Sequence, residues 1–177
     1  MHYTATGLII VNTGDGKGKT TSAFGLALRA AGQGIKVLII QFMKGQNNIG
    51  EIEALTKSDL PIKIKRFGRP GFVQSRVCEP LDLYLADKGL KYFRDVLLHS
   101  DFGMIILDEI LVAIDFGLLI EKALREILEM RPPHIHIILT GRNASDRILY
   151  MADLVTEMKE IKHPYKMGVK AQVGIEY

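Results

Sequence analysis

The stretch Gly7–Arg29, G-L-I-I-V-N-T-G-D-G-K-G-K-T-T-S-A-F-G-L-A-L-R, decides how the rest of the chain is read. An apolar burst at Leu8–Val11 runs into a loop with glycines at 14, 16 and 18, and Lys19-Thr20-Thr21 then open an amphipathic helical pattern. Strand, glycine-rich turn and Lys-Thr at a helix start form the P-loop arrangement. Its chemistry is anion capture. Small residues let backbone N–H groups close on phosphate oxygens, and the helix N-terminus adds its positive end. Gly14, Asp15, Gly16, Lys17 and Gly18 would wrap a polyphosphate that Lys19 reaches and Thr21 flanks, while the Thr20 hydroxyl ligates Mg2+.

The common pattern, G-x-x-x-x-G-K-[ST], asks for a glycine where this chain has Thr13, and counted from Gly14 the loop is one residue short. Gly16 and Lys17 make it a tighter, more basic turn than that of a common ATPase. A glycine-rich turn without a ligand is the competing reading; strand, glycines, Lys-Thr and helix falling in the right order speak against it.

With 177 residues the chain suits one well-packed domain, and 47% hydrophobic residues spread evenly can fill its core. The net charge of +3 is too small to argue for nucleic acid, whereas a polyanionic small molecule suits it. A single cysteine, Cys78, leaves no disulfide framework or thiolate metal site and fits a reducing cytosol. The opening M-H-Y-T-A-T-G lacks the basic start and apolar core of a signal peptide, and no apolar run reaches the roughly 20 residues of a membrane span. The expectation is a soluble cytoplasmic domain without a membrane partner.

Apolar bursts alternate with helical patterns along the chain, as in a parallel sheet covered by helices. Strands are expected at Leu8–Asn12, Ile35–Phe42, Ile62–Phe67, Phe102–Asp108, Ile135–Thr140 and Leu154–Ile161. Helices are expected at Thr20–Gln33, Glu51–Lys57, Pro80–Ser100, Ile110–Met130 with a break near Phe116-Gly117, and Ala144–Ala152. In the first helix Phe24, Leu26, Ala27, Leu28 and Ala30 are the candidates for burial, with Gly32 and Gly34 closing it. Met43–Gly50 is a polar loop at a strand's C-terminal end, where open α/β sheets bind ligands. Gly68–Cys78 is irregular, and the tail from His163 reads as extended. The fold expected is a single three-layer, P-loop NTPase-like (RecA-like) α/β domain spanning the chain, its sheet mostly parallel.

A second motif follows about ninety residues after the first: Met104-Ile105-Ile106-Leu107-Asp108-Glu109, four apolar residues ending in two acids. After a P-loop this is the strand that delivers a carboxylate beside the magnesium ion, and Asp108 and Glu109 are its candidate ligands. Asp108 could instead cap the following helix.

Five blocks together resemble one family: T-G-D-G-K-G-K-T-T, Q-F-M-K-G (Gln41–Gly45), L-D-E-I (Leu107–Ile110), L-T-G-R-N-A (Leu139–Ala144) and the closing H-P-Y-K-M-G-V-K-A-Q-V-G-I-E-Y (His163–Tyr177). It is the P-loop ATP:corrinoid adenosyltransferases, also called cob(I)alamin adenosyltransferases. The resemblance implies transfer of the 5′-deoxyadenosyl group of ATP to the cobalt of a reduced corrinoid, with release of triphosphate. It implies Mg2+ as cofactor, a homodimer, and ATP held turned around relative to other P-loop proteins, and it leaves room for an electron-donating flavoprotein partner. Co(I) is itself a strong nucleophile, so no side-chain base is needed. The work of the site is then stabilising the leaving triphosphate, by loop amides, Lys17, Lys19 and the metal. Glu109 has no water to position and is left to ligate the metal or touch the nucleotide.

Other matched positions carry two readings each. Arg29 is a phosphate contact or a structural residue, and Arg142 a ligand contact or a loop salt bridge. Phe72 matches an aromatic that in the family displaces the lower ligand of cobalt, which would ease reduction to Co(I); otherwise it packs locally. Three features depart from the family. Val73-Gln74 stand where some members have Thr-Trp, the chain opens seven residues before its first strand where some members carry a helical extension, and Asp15 stands where many have asparagine. The first two favour looser corrinoid binding or an incomplete corrinoid such as cobinamide. The rival classes are a small P-loop kinase, which would release ADP, and a RecA-like ATP-binding switch with no corrinoid effect.

Overall fold

The computed structural model describes residues 6–45, 49–69 and 78–176. Its strands are β1 (Ile9–Thr13), β2 (Val37–Phe42), β3 (Ile62–Phe67), β4 (Met104–Asp108), β5 (His136–Thr140) and β6 (Leu154–Glu157). They form one six-stranded sheet in the order β3-β2-β4-β5-β1-β6. Every pairing in it is parallel, which sharpens the expectation of a mostly parallel sheet. The helices are α1 (Lys19–Gly32), α2 (Gly50–Thr56), α3 (Pro80–His99), α4 (Ile110–Asp115), α5 (Glu121–Glu129) and α6 (Asp146–Met151).

Strands β1, β2 and β4 are buried along their whole length, as continuous apolar runs in a sheet covered on both faces should be. Successive side chains leave opposite faces. Val11, Leu38, Ile40, Leu107 and Leu139 pack with residues of α3, α4, α5 and α6. Ile10, Ile39, Ile106 and Ile138 pack with α1 and α2. Hence three layers. Helix α1 meets the sheet through Ala23, Phe24, Ala27, Ala30 and Ala31. Leu28, expected inside, is 54% exposed because it falls outside that alanine-rich face. Helix α3 opens with Pro80 at its first position and a capping box in which the Glu79 N–H donates to Asp82 Oδ2 over 3.2 Å.

The two sheet edges differ from the centre. In β3 Lys63, Lys65 and Arg66 are exposed, and such basic edges discourage strand-to-strand association. Edge strand β6 is exposed throughout and ends at Glu157, short of the expected Ile161. The reason is its partner: β1 pairs Thr13 with Glu157 and then turns into the glycine loop, so no ladder continues. The tail is not simply extended. Pro164–Met167 forms a 3-10 turn closed by Gly168 at φ 80°. The helical stretch after β4 splits where expected, with Gly117 at φ 75° between α4 and α5.

Because all strands run the same way, the segments after β1, β2, β4 and β5 emerge at one edge of the sheet, where ligands bind in open α/β folds.

Candidate active site

The loop after β1 is shaped by what lies against it. Gly14 and Gly18 have φ values of 93° and 116°, a left-handed region that favours glycine. Gly16 donates its N–H to the Met158 carbonyl over 2.6 Å, and a Cβ on Gly16 would lie 2.6 Å from that same oxygen. The loop is therefore pressed onto the residue that follows β6, and only glycine allows that approach. The Lys19 ammonium folds over the loop, donating to the carbonyls of Gly14 at 2.6 Å and Gly16 at 2.7 Å. Burial and the nearby Arg142 charge lower its pKa below the ordinary lysine value, against the pull of Glu109 and Asp15.

A second cluster stands at the ends of β2, β4 and β5. Asp108 is fully buried. Its Oδ1 accepts from the Thr20 and Thr140 hydroxyls, each at 2.8 Å, and its Oδ2 accepts from Gln41 Nε2 at 3.0 Å and Lys44 Nζ at 2.8 Å. With both oxygens so engaged, Asp108 is not the cap of α4; the residue in the cap position is Glu109, which makes no side-chain capping bond. Burial alone would raise the Asp108 pKa. The charge and hydrogen bond of Lys44, with the donors from Thr140 and Gln41, hold it below the ordinary aspartate value. For Lys44, burial alone would lower the pKa, and the carboxylates of Asp108 and Glu109 outweigh it.

Glu109 has φ 61°, a conformation that costs a non-glycine residue about 1–3 kcal/mol. Its N–H donates to Thr140 Oγ1 over 2.9 Å, and its Oε1 lies 3.4 Å from Lys44 Nζ. Strain of this kind recurs at functional sites, and here the carboxylate it carries faces Lys44 at the cleft.

The Thr20 hydroxyl and the Asp108 and Glu109 carboxylates are hard oxygens, the donors that Mg2+ takes, with water and phosphate oxygens completing its shell. Gln41 Oε1 lies buried beside them without a hydrogen-bond partner among the described residues, an acceptor suited to a metal-bound water. The residues fit Mg2+. No cluster of three or more His, Cys, Asp and Glu side chains disposed for a metal occurs among the described residues, and a site sharing its ion with phosphates needs none.

These groups border a cleft of about 740 Å3. Asp15, Gly16, Lys17, Gly18, Lys19, Thr20, Thr21, Glu109 and Arg142 all line it, and His163, Tyr165, Ile175 and Glu176 of the tail form part of its wall. Gly14 and Asp108 stand behind that lining as partners of Lys19 and Lys44. Asp15 lies 3.7 Å from Arg142, which gives the acid a local partner; both are more than half exposed, so the pair adds little stability. Lys17 sits 3.9 Å from Glu176 of the tail. Arg29 is not brought to the cleft. It is exposed in the last turn of α1, ten residues beyond Lys19, a distance of roughly 15 Å along a helix. Phe72 and Gln74 lie outside the described residues.

Sequence reasoning gave no role to Lys44, Gln41 or Thr140. The available signal was positional: Q-F-M-K-G and L-T-G sit at the C-terminal ends of strands that flank the acidic one.

An all-parallel sheet carrying a glycine loop with Lys-Thr after β1 and a buried aspartate at the end of β4 defines a P-loop protein of the NTPase class. A KaiC-like protein from Pyrococcus horikoshii shares the fold, with a TM-score of 0.55 at 20% identity over 89% of this chain and 75% of its own. The family model for ATP:corrinoid adenosyltransferases (BtuR/CobO/CobP) matches residues 5–177. The corrinoid adenosyltransferase of Sinorhizobium is 37% identical over 97% of this chain and 80% of its own length. That of Pseudomonas aeruginosa is 36% identical, covering 97% and 84%. The chain belongs to the ATP:corrinoid adenosyltransferase family and is thus a transferase. No helix among the described residues is long and apolar enough to cross a membrane.

Proposed function

We propose that this chain transfers the 5′-deoxyadenosyl group of ATP to the cobalt of a reduced corrinoid, cob(I)alamin or cobinamide, and releases triphosphate. The observation that supports it most is the gathering of Lys17, Lys19, Arg142 and the glycine loop around one cleft, beside the oxygens of Thr20, Asp108 and Glu109. That is equipment for a polyanionic leaving group. In the reaction the Co(I) electron pair forms the bond to C5′, cobalt becomes Co(III), and the C5′–O bond breaks with its electrons leaving on triphosphate. No proton is removed from the nucleophile, so no base is required.

The chain's own work is positioning and charge. Loop amides and Lys19 hold the triphosphate and meet the charge that grows on it. Lys19 is ready for this, since its present partners are two neutral carbonyls that a phosphate oxygen can replace. Mg2+, held by Thr20, Glu109 and Asp108, would neutralise further charge on the leaving group. Arg142 adds a cation at the rim. The family resemblance would give Phe72 the corrinoid side of the reaction, as the aromatic that displaces the lower ligand of cobalt. A homodimer, a cytoplasmic setting and an electron-donating flavoprotein complete the reading through the family resemblance.

The product decides between this and a kinase. Incubated anaerobically with Mg-ATP and chemically reduced cobalamin, the protein should yield intact triphosphate in the 31P NMR spectrum. ADP or single phosphate without a change in the corrinoid would replace adenosyl transfer by phosphoryl transfer.

A further inference from the structure

Lys44 lies where a metal would. Its ammonium is 2.8 Å from Asp108 Oδ2 and 3.4 Å from Glu109 Oε1, and it donates to Thr20 Oγ1 over 3.3 Å. Those are the three residues assigned above to Mg2+, so the inference rests on that assignment. The position is built rather than incidental. Met43, just after β2, takes φ 58° and donates its N–H to the Phe67 carbonyl over 3.1 Å. A Cβ on Gly68 would lie 2.5 Å from the backbone nitrogen of Lys44, and one on Gly45 would lie 2.3 Å from the Arg69 carbonyl. Two glycines thus let the chain on either side of Lys44 seat against the end of β3. The lysine is thereby aimed at the acids, with its side chain only 26% exposed.

An ammonium and a dication cannot share these oxygens, because two cations a few ångströms apart in a half-buried site repel strongly. We propose that Lys44 is a resident cation which fills the divalent-ion position in the nucleotide-free protein. The metal enters only together with the polyphosphate, whose charge draws the flexible lysine arm off Asp108 and onto a phosphate oxygen. Two properties follow. The nucleotide-free protein keeps its buried aspartate paired, and it does not load metal ahead of ATP.

Mn2+ is the probe, followed by its EPR signal in nucleotide-free protein. Wild type should bind Mn2+ weakly alone and tightly with ATP present. Lys44→Met should bind Mn2+ without nucleotide at least roughly tenfold more tightly than wild type, since the repelling charge is gone. Adding Glu109→Gln to that variant should remove the gain, and Lys44→Arg should behave as wild type. If Lys44→Met does not fold, Lys44→Gln, which keeps a donor for Asp108, serves in its place. Equal nucleotide-free Mn2+ affinity in wild type and the neutral variant, with ATP-dependent binding intact in both, would overturn the role of Lys44 alone. Absence of Mn2+ binding even with ATP would overturn the metal assignment, and the role of Lys44 with it.

Discussion

The loops after β1 and β2 each aim one lysine at the same cleft, and the two are held in opposite ways. Lys19 rests on the neutral carbonyls of Gly14 and Gly16, close to Arg142, and its pKa is lowered by burial foremost. Lys44 rests on the carboxylates of Asp108 and Glu109, which raise its pKa although burial works against them. One cation has only neutral partners, which suits the triphosphate contact proposed for it. The other is already neutralised and holds two acids in place. The lesson is that a lysine near a phosphate site is defined by its partners and not by its distance from the loop.

The largest effect should come from the lysine with neutral partners. Lys19→Ala should lower turnover by about 10²–10³-fold, the usual loss when one donor to a developing negative charge is removed. Steady-state kinetics with reduced corrinoid would read it, and unchanged turnover would remove Lys19 from the reaction. Lys44→Met should act first on stability. Removing one partner of a buried pair costs about 3–5 kcal/mol, and about 2–3 kcal/mol is expected here because Lys44 is partly exposed and Asp108 keeps three other donors. Urea unfolding would show it; a loss below half a kcal/mol, the level of an ordinary surface substitution, would mean the pair is not load-carrying. Lys19→Ala should leave stability nearly unchanged in the same experiment, which is the contrast between the two loops in one measurement.

Glu109→Gln should raise the Mg2+ concentration needed for half-maximal turnover by about tenfold, within the range seen when a metal site loses a supporting group. An unaltered metal titration would confine the metal to Thr20 and Asp108.

The smallest effect is in titration. Folding lowers the Lys19 pKa and raises that of Lys44 relative to about 10.4 for an unfolded lysine. Lys44 therefore contributes stability that is full below about pH 10.4 and is lost as pH rises through its raised folded value. Lys19 has the opposite sign: its cost is present at neutral pH and is relieved as pH rises through its lowered folded value toward about 10.4. In a 15N NMR titration of the lysine side chains, Lys19 should lose its proton first. The reverse order would collapse the distinction.

What was legible in the sequence was local. The glycine loop, Lys19 and Thr20, and the apolar run into Asp108-Glu109, announce themselves within a few residues, and I-K-I-K-R-F placed β3 at its observed bounds, Ile62–Phe67. What was not legible depends on contacts across the chain. Lys44 finds Thr20 from 24 residues away and Asp108 from 64 away, so the window around it marks a ligand-facing loop but not the partners of the lysine. That Asp108 does not cap α4 depends on partners such as Thr140, which a neighbouring strand supplies 32 residues later. The apolar pattern of β6 ran on to Ile161, but a strand lasts only as long as its partner, and β1 had already turned into the loop. Arg29 shares a helix with Lys19, and only the length of that helix shows how far apart they are.

One comparison tests the account most directly: the Co(I) absorbance of chemically reduced cobalamin, followed anaerobically with Mg-ATP, for wild type beside Lys19→Ala. Wild type should lose the Co(I) band and give a light-sensitive cobalt–carbon product, and with Lys19→Ala the band should persist over the same interval. A wild-type protein that consumes ATP while the Co(I) band stands unchanged would contradict it.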